Sequence, residues 1–294
     1  MADAGKLLAR TSWTIKQDWL DDLLSRAESV TVDAMQAGLE ATVHKVMLDG
    51  GSYVLKVWDK HSKPDIAYQY RLLLALSEHG IPVSKPLGFG LTEDGNGALL
   101  TSDDGAPLTK LDKRAHASIA GLMADVHRFP YDPAGDLRVD KHDFVSYFYP
   151  GIAEQQDLRQ ALLEWIGEVG IRQDAVIHGD LHLGNLVEAD GRYTAIDWTN
   201  GQLGDPRYDL MWMVVITRLY VSDRHADGLL QAYSALIAYP EAELRAFEAI
   251  AFARWLLLHR QGALPVDAKT KKRIAAMISN NPLLTNKNLF PVRA

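Results

Sequence analysis

The sequence predicts an α+β fold, with a small strand-rich N-terminal part followed by a larger, mostly helical C-terminal part. Two observations carry this. Strand-like apolar runs crowd into the first 102 residues, at 30–37, 42–48, 53–58, 87–92 and 98–101. Beyond residue 112 most apolar residues recur at helical spacing instead, as in Ile119, Leu122, Met123 and Val126. Strands and helices are thus segregated along most of the chain rather than alternating, which argues against a parallel α/β sheet.

Residues 14–28 read as a helix, with Trp19, Leu20, Leu23 and Leu24 at helical spacing. Strand 30–37 is joined to strand 42–48 by the loop 36–42, which contains Gly38, and Asp49-Gly50-Gly51 marks a hairpin into 53–58. Within that third strand Lys56 is flanked by Leu55 and Val57. A lysine so placed either faces outward on an alternating strand or has a partner, because burying its charge alone is expensive. Residues 64–79 read as a helix ended by Gly80. Strands 87–92 and 98–101 follow, and the turn-rich 103–107 marks the boundary between an N-terminal part, 1–102, and a C-terminal part, 103–294. The latter reads as a helix at 112–128, an irregular aromatic-rich stretch at 129–150, and helices at 152–169, 210–220, 224–239, 241–259 and 268–280.

The chain has 294 residues, 47% hydrophobic and 23% charged, enough for a sizeable core. A net charge of −7 gives nucleic-acid binding no support. The absence of cysteine excludes disulfides and thiolate chemistry and fits a reducing, cytoplasmic setting. No apolar run approaches a membrane span, and no signal peptide is evident.

The chemistry concentrates in residues 176–210. Val176 and Ile177 run into His178-Gly179-Asp180, and Asn185 follows Asp180 by five positions. A short hairpin turns at Asp190-Gly191 and returns to Asp197. A loop and a hairpin thus gather two carboxylates and one carboxamide, the oxygen ligands that Mg²⁺ takes together with substrate phosphates and water. His178 and His182 are four apart, but Gly179 and Gly184 argue for a loop, where that spacing does not align two zinc ligands.

The pattern H-x-D-x-x-x-x-N with a second Asp after a hairpin resembles the catalytic and metal loops of protein kinases. The wording H-G-D-L-H-x-x-N, I-D-W and G-D-P-x-x-D-L resembles the aminoglycoside phosphotransferase family of kinase-like enzymes. The resemblance implies a two-lobed protein-kinase-like fold and an ATP-dependent transfer, GTP being an alternative, with Mg²⁺. It makes Asp180 the general base or hydroxyl-orienting group and Asn185 and Asp197 the metal ligands. Lys56 becomes the lysine on the nucleotide phosphates, the loop at Gly38 the phosphate cover, and backbone near Leu100 and Ser102 the adenine edge. The helix glutamate that usually pairs with the lysine is replaced by Gln69, so Gln69 or Asp65 is expected to hold Lys56. His178 reads as scaffolding and His127 as a structural histidine, while Asp205 and Asp209 read as structural acids opening a helix, Asp205 as its cap and Asp209 tying its start to the catalytic loop.

Only eight positions separate Asp197 from Asp205, whereas a protein kinase carries a longer peptide-binding segment there. The acceptor is therefore expected to be a small molecule: an aminoglycoside or other antibiotic, a sugar or an amino alcohol. Residues 140–174 hold seven acids against three bases, and 260–294 seven bases against one acid, so charge does not choose among these. A monomer or homodimer is expected. The rival readings are a non-catalytic kinase-like binding module and a hydrolase, the latter lacking any G-x-S-x-G elbow.

Overall fold

Trp13 and Ile15 fall within or beside the helix expected over 14–28, yet they lie in a strand. A computed structural model describes residues 4–17, 20, 21, 25, 31–34, 41–48, 51–62, 64–287, 289 and 290. In it helix α1 (Ala4–Arg10) precedes β1 (Ser12–Lys16), which pairs antiparallel with β5 (Pro86–Leu91), Ile15 opposite Phe89. Aromatic and β-branched residues suit a pleated surface, and a distant strand edge settled the competition with local helical spacing. Of the rest of the expected helix, Leu20, Asp21 and Ser25 are helical.

The chain divides into two compact units. The first comprises Met1–Ala106 with Val187–Thr199, and the second Pro107–Leu186 with Asn200–Ala294. In the first, β2 (Thr31–Ala34), β3 (Ala41–Leu48), β4 (Gly51–Trp58) and β6 (Gly97–Ser102) complete an antiparallel sheet of order β1-β5-β6-β4-β3-β2. Leu48 pairs with Gly51, and the expected turn residues Asp49 and Gly50 lie outside the described residues. Leu8, Leu20, Val46, Leu55, Leu87 and Leu100 form the core on this sheet.

Helix α2 (Ile66–Glu78) starts where the Asp65 side chain accepts the Tyr68 N–H at 2.9 Å, and it gives way to Gly80 at φ 83°. A later hairpin, β9 (Leu186–Ala189) and β10 (Arg192–Ala195), forms a small sheet with β7 (Ala106–Pro107). Its turn residues Asp190 and Gly191 both take positive φ, 52° and 79°, as a two-residue I′ turn demands. Ala195 bridges Val83 and donates its N–H to the Pro82 carbonyl at 2.9 Å. Those contacts carry 187–199 into the first unit, where a single cut after residue 102 does not put it.

In the second unit α3 (Lys113–His127) is capped by Asp112, which accepts the Arg114 and Ala115 N–H groups at 3.0 Å. The aromatic stretch holds one short helix, α4 (Phe144–Phe148), and α5 (Gln156–Val169) follows. Strand β8 (Ala175–Ile177) pairs antiparallel with β11 (Gln202–Gly204). Helix α6 (Pro206–Tyr220) begins four residues earlier than periodicity suggested, because Asp205 caps it and Pro206 occupies its first turn. Then come α7 (Asp223–Ser234), α8 (Glu241–Arg260), α9 (Ala268–Asn280) and α10 (Pro282–Thr285). Helix α8 is buried along Ala246–Leu257 on nearly every side, with Phe247, Ile250 and Trp255 fully enclosed. Among the described residues no helix is long and apolar enough to cross a membrane.

Candidate active site

In the first unit, Lys56 sits on β4 between buried Leu55 and Val57 and opposite Val43 and Leu99. Its Nζ reaches Asp197 Oδ1 at 3.3 Å, with the lysine side chain 17% and the aspartate side chain 44% exposed. Asp197 takes φ 66°, a conformation that costs a non-glycine residue stability and persists only where the surroundings enforce it. Those surroundings are Ala195, held on Val83, and Trp198, buried with its Nε1 donating to the Ala195 carbonyl at 3.1 Å.

Among the described residues Lys56 is ion-paired with Asp197, not with Gln69 or Asp65. The Asp65 carboxylate is spent on capping α2. Gln69 is 3% exposed, and its Nε2 has no hydrogen-bond partner among the described residues. Ion pairing with Asp197 satisfies the lysine instead. Leu100 and Ser102, expected at the adenine edge, both lie in β6. Leu100 is buried in β6, an interior strand paired on both sides. The Ser102 N–H donates to the Lys85 carbonyl at 2.9 Å, and the Asp103 N–H to the Ser52 carbonyl at 3.3 Å. The N–H groups at the end of β6 are therefore already engaged. Gly38 lies outside the described residues.

In the second unit, β8 delivers His178-Gly179-Asp180 as a loop gripped from below. Asp209, fully buried at the start of α6, accepts the His178 N–H through Oδ2 and the Gly179 N–H through Oδ1, both at 2.9 Å. Its Oδ2 also lies 3.3 Å from His127 Nε2, and His127 Nδ1 lies 2.7 Å from the Tyr233 hydroxyl. The structural readings of Asp209 and His127 follow from these bonds. Gly179 has φ 78°, and a Cβ there would stand 2.5 Å from the Asn200 carbonyl oxygen, so both conformation and space require glycine. His178 is fully buried, and its Nδ1 accepts the Asp180 N–H at 3.3 Å.

The loop closes on itself through Asn185, whose Nδ2 donates to the Asp180 carbonyl at 2.9 Å. Asn185 ends a 3-10 turn, Leu183–Asn185, capped by the His182 ring, which accepts the Gly184 N–H at 3.0 Å. Sequence reasoning missed Arg254. From α8 its Nη1 donates to the Gly179 carbonyl at 2.8 Å and to the Tyr208 hydroxyl at 3.1 Å, and its Nη2 lies 3.2 Å from Asp180 Oδ1. The available signal was an arginine inside the apolar run 249–258, which has to find a partner.

A profile of the APH phosphotransferase enzyme family matches residues 31–247. The chain belongs to that family. Comparison with curated protein sequences finds no match. Among solved structures, the chain is similar to amicoumacin kinase hAmiN in complex with AMP-PNP, Ca²⁺ and Ami, at 17% identity over 99% of this chain and 98% of that one, TM-score 0.66. It is similar to aminoglycoside phosphotransferase APH(4)-Ia, 18% identical over 89% and 99%, TM-score 0.62. It is also similar to choline kinase LicA from Streptococcus pneumoniae, 17% identical over 91% and 98%, TM-score 0.62. Two-part protein-kinase-like architecture is what these likenesses share.

The donor chemistry of this phosphotransferase suits a hard divalent cation. Asp197 offers a half-exposed carboxylate, and Asn185, having spent its amide N–H on the loop, keeps its amide oxygen. Among the described residues no group of three or more His, Cys, Asp or Glu side chains could hold a metal ion.

Proposed function

We propose that this phosphotransferase moves the γ-phosphoryl group of ATP to a hydroxyl of a small molecule. The observation that carries the reading is the Lys56–Asp197 pair. These two residues were assigned to the same triphosphate and its metal from separate stretches of sequence, and they lie 3.3 Å apart. In the reaction Asp180 accepts the proton of the acceptor hydroxyl, the hydroxyl oxygen bonds to the γ-phosphorus, and the bond from that phosphorus to the bridging oxygen breaks, releasing ADP. Lys56 binds the α- and β-phosphates, and Asn185 and Asp197 hold Mg²⁺. When bound, Mg²⁺ neutralises charge developing on the phosphate oxygens. GTP is the alternative donor. The first unit then serves the nucleotide and the second the acceptor.

The acceptor is an antibiotic, a sugar or an amino alcohol. A flat aromatic surface adjoins the catalytic loop: His142 stacks on Tyr147 at 4.6 Å and 6°, and the Tyr147 hydroxyl donates to Asn200 Oδ1 at 3.2 Å. Asn200 is the residue packed against Gly179. Such a face suits a sugar ring or a quaternary or protonated amine. The deciding experiment is an ADP-release screen across aminoglycosides, other hydroxylated antibiotics, sugars and amino alcohols, with Mg²⁺. Turnover on one class, lost in Asp180→Ala by about 10²-fold or more, supports the reading. ATP binding without turnover on any class supports the non-catalytic module instead.

A further inference from the structure

Arg254 grips Asp180 and the residue before it, Gly179, from an element that carries no other group of the proposed site. We propose that Arg254 is a positioning residue for Asp180, fixing one carboxylate oxygen so that the other takes the acceptor proton; this rests on the catalytic reading of Asp180. Three observations carry it.

First, Gly179 is held on both sides by opposite charges. Its N–H donates to Asp209 and its carbonyl accepts from Arg254 Nη1 at 2.8 Å. The peptide entering Gly179 is therefore held by an anion from α6, and the one leading into Asp180 by a cation from α8. Second, Arg254 Nη2 takes Asp180 Oδ1 at 3.2 Å. This leaves Oδ2, which lies 3.9 Å from His182 Nε2, as the proton-accepting oxygen. Third, the guanidinium is itself immobilised without Asp180. It stacks over Trp212 at 4.2 Å and Phe148 at 5.2 Å, donates to Tyr208, and is 11% exposed. Burial pushes the Tyr208 phenol up, so its hydroxyl stays protonated and serves Arg254 as an acceptor. A planar fork with several donors can meet a carbonyl, a hydroxyl and a carboxylate while stacked; an ammonium cannot do all of these.

Placement this tight matters because a displacement of about 1 Å at a reacting group can cost roughly 10²-fold in rate. The test is Arg254→Met and Arg254→Lys, each alone and combined with Asp180→Asn, with kcat, the KM for ATP and amide hydrogen exchange of residues 178–185 measured. We expect Arg254→Met to lower kcat by about 10²-fold with the KM for ATP within about twofold. Arg254→Lys should restore part of that loss. In the Asp180→Asn background, adding Arg254→Met should change the residual rate less than about threefold, because the arginine acts through the carboxylate. Loop amides should exchange faster in Arg254→Met while α3 is unaffected.

A kcat within about threefold of wild type in Arg254→Met, or an equal loss with and without Asp180, overturns the proposal. Should Arg254→Met fail to fold, Arg254→Lys decides: wild-type kcat with unchanged loop exchange overturns it, and a kcat-only loss supports it. Faster loop exchange in a protein that phosphorylates no acceptor even as wild type instead strikes the kinase reading.

Discussion

Lys56 Nζ and Asp197 Oδ1 meet at 3.3 Å across 141 positions of chain. Each is the other's counter-charge while the nucleotide is absent. On the proposed reading, triphosphate binding would exchange partners, the ammonium turning to phosphate oxygens and the carboxylate to the metal.

This exchange separates the two substitutions. Lys56→Ala should raise the KM for ATP about tenfold or more whatever the Mg²⁺ concentration, since it removes a charge-assisted contact to phosphate. Asp197→Ala should weaken nucleotide binding chiefly when Mg²⁺ is present. Calorimetric titration with and without Mg²⁺ distinguishes the cases. Identical Mg²⁺ dependence in Asp197→Ala and wild type would remove Asp197 from the metal.

Gln69 offers a second test, because its Nε2 is buried without a partner among the described residues. A buried donor left unsatisfied costs about 1–3 kcal/mol. Gln69→Met keeps length and removes the donor, so Tm should hold or rise, by about 2–4 °C per kcal/mol. The kinetics should stay near wild type, since on the proposed reading Lys56 is met by Asp197 before the nucleotide binds and by phosphate afterwards. A tenfold fall in kcat/KM for ATP would instead mean that Gln69 meets the lysine or the phosphates in the bound state.

The part of the site that could be read from sequence is the part built locally. Asp180, Asn185 and Asp197 are recognisable because a loop and a two-residue hairpin turn confine them within a short stretch, and the Asp190-Gly191 turn forms as its residues require. Asp205 and Asp209 were legible for the same reason, as acids opening a helix. Arg254 was not, since its contact with Asp180 depends on how α8 packs and leaves no local pattern. Strand β1 was misread because its partner β5 lies far along the chain, and local spacing carries no trace of that pairing. Leu100 and Ser102 were placed by resemblance alone, since nothing in their local pattern marks a nucleotide edge.

Asp205 and Arg207 form a buried, forked ion pair in the same unit as the catalytic loop. Arg207 Nε and Nη2 donate to Asp205 Oδ1 and Oδ2 at 2.9 and 2.6 Å, Nη1 to Glu243 at 2.7 Å and Nη2 to the Gly170 carbonyl at 2.9 Å, with Arg207 2% and Asp205 0% exposed. Removing one partner strands a buried charge. Arg207→Ala should cost about 3–5 kcal/mol in urea unfolding, and pairing it with Asp205→Asn should recover part of that loss. A loss below about 1 kcal/mol would mean that the fork stabilises nothing.

Asp209 makes the hold on the catalytic loop depend on pH. Burial pushes its carboxyl up, but the His127 hydrogen bond, the charges of His127 and His178, and the His178 N–H together outweigh burial and hold it below the ordinary aspartate range. A carboxyl depressed in the folded chain takes up protons less readily there than in the unfolded chain. Its contribution is therefore complete above the unfolded value, about 3.9, and is lost as pH falls through the lower folded value. Asp209→Asn removes the charge at every pH. The wild type should thus exceed Asp209→Asn in unfolding free energy by a constant margin above about pH 5, narrowing below pH 4 as the wild type protonates. Far-ultraviolet circular dichroism across acid and urea titrations measures that margin. If it stays constant on acidification or widens, the Asp209 carboxyl is not held below its ordinary range in the folded chain.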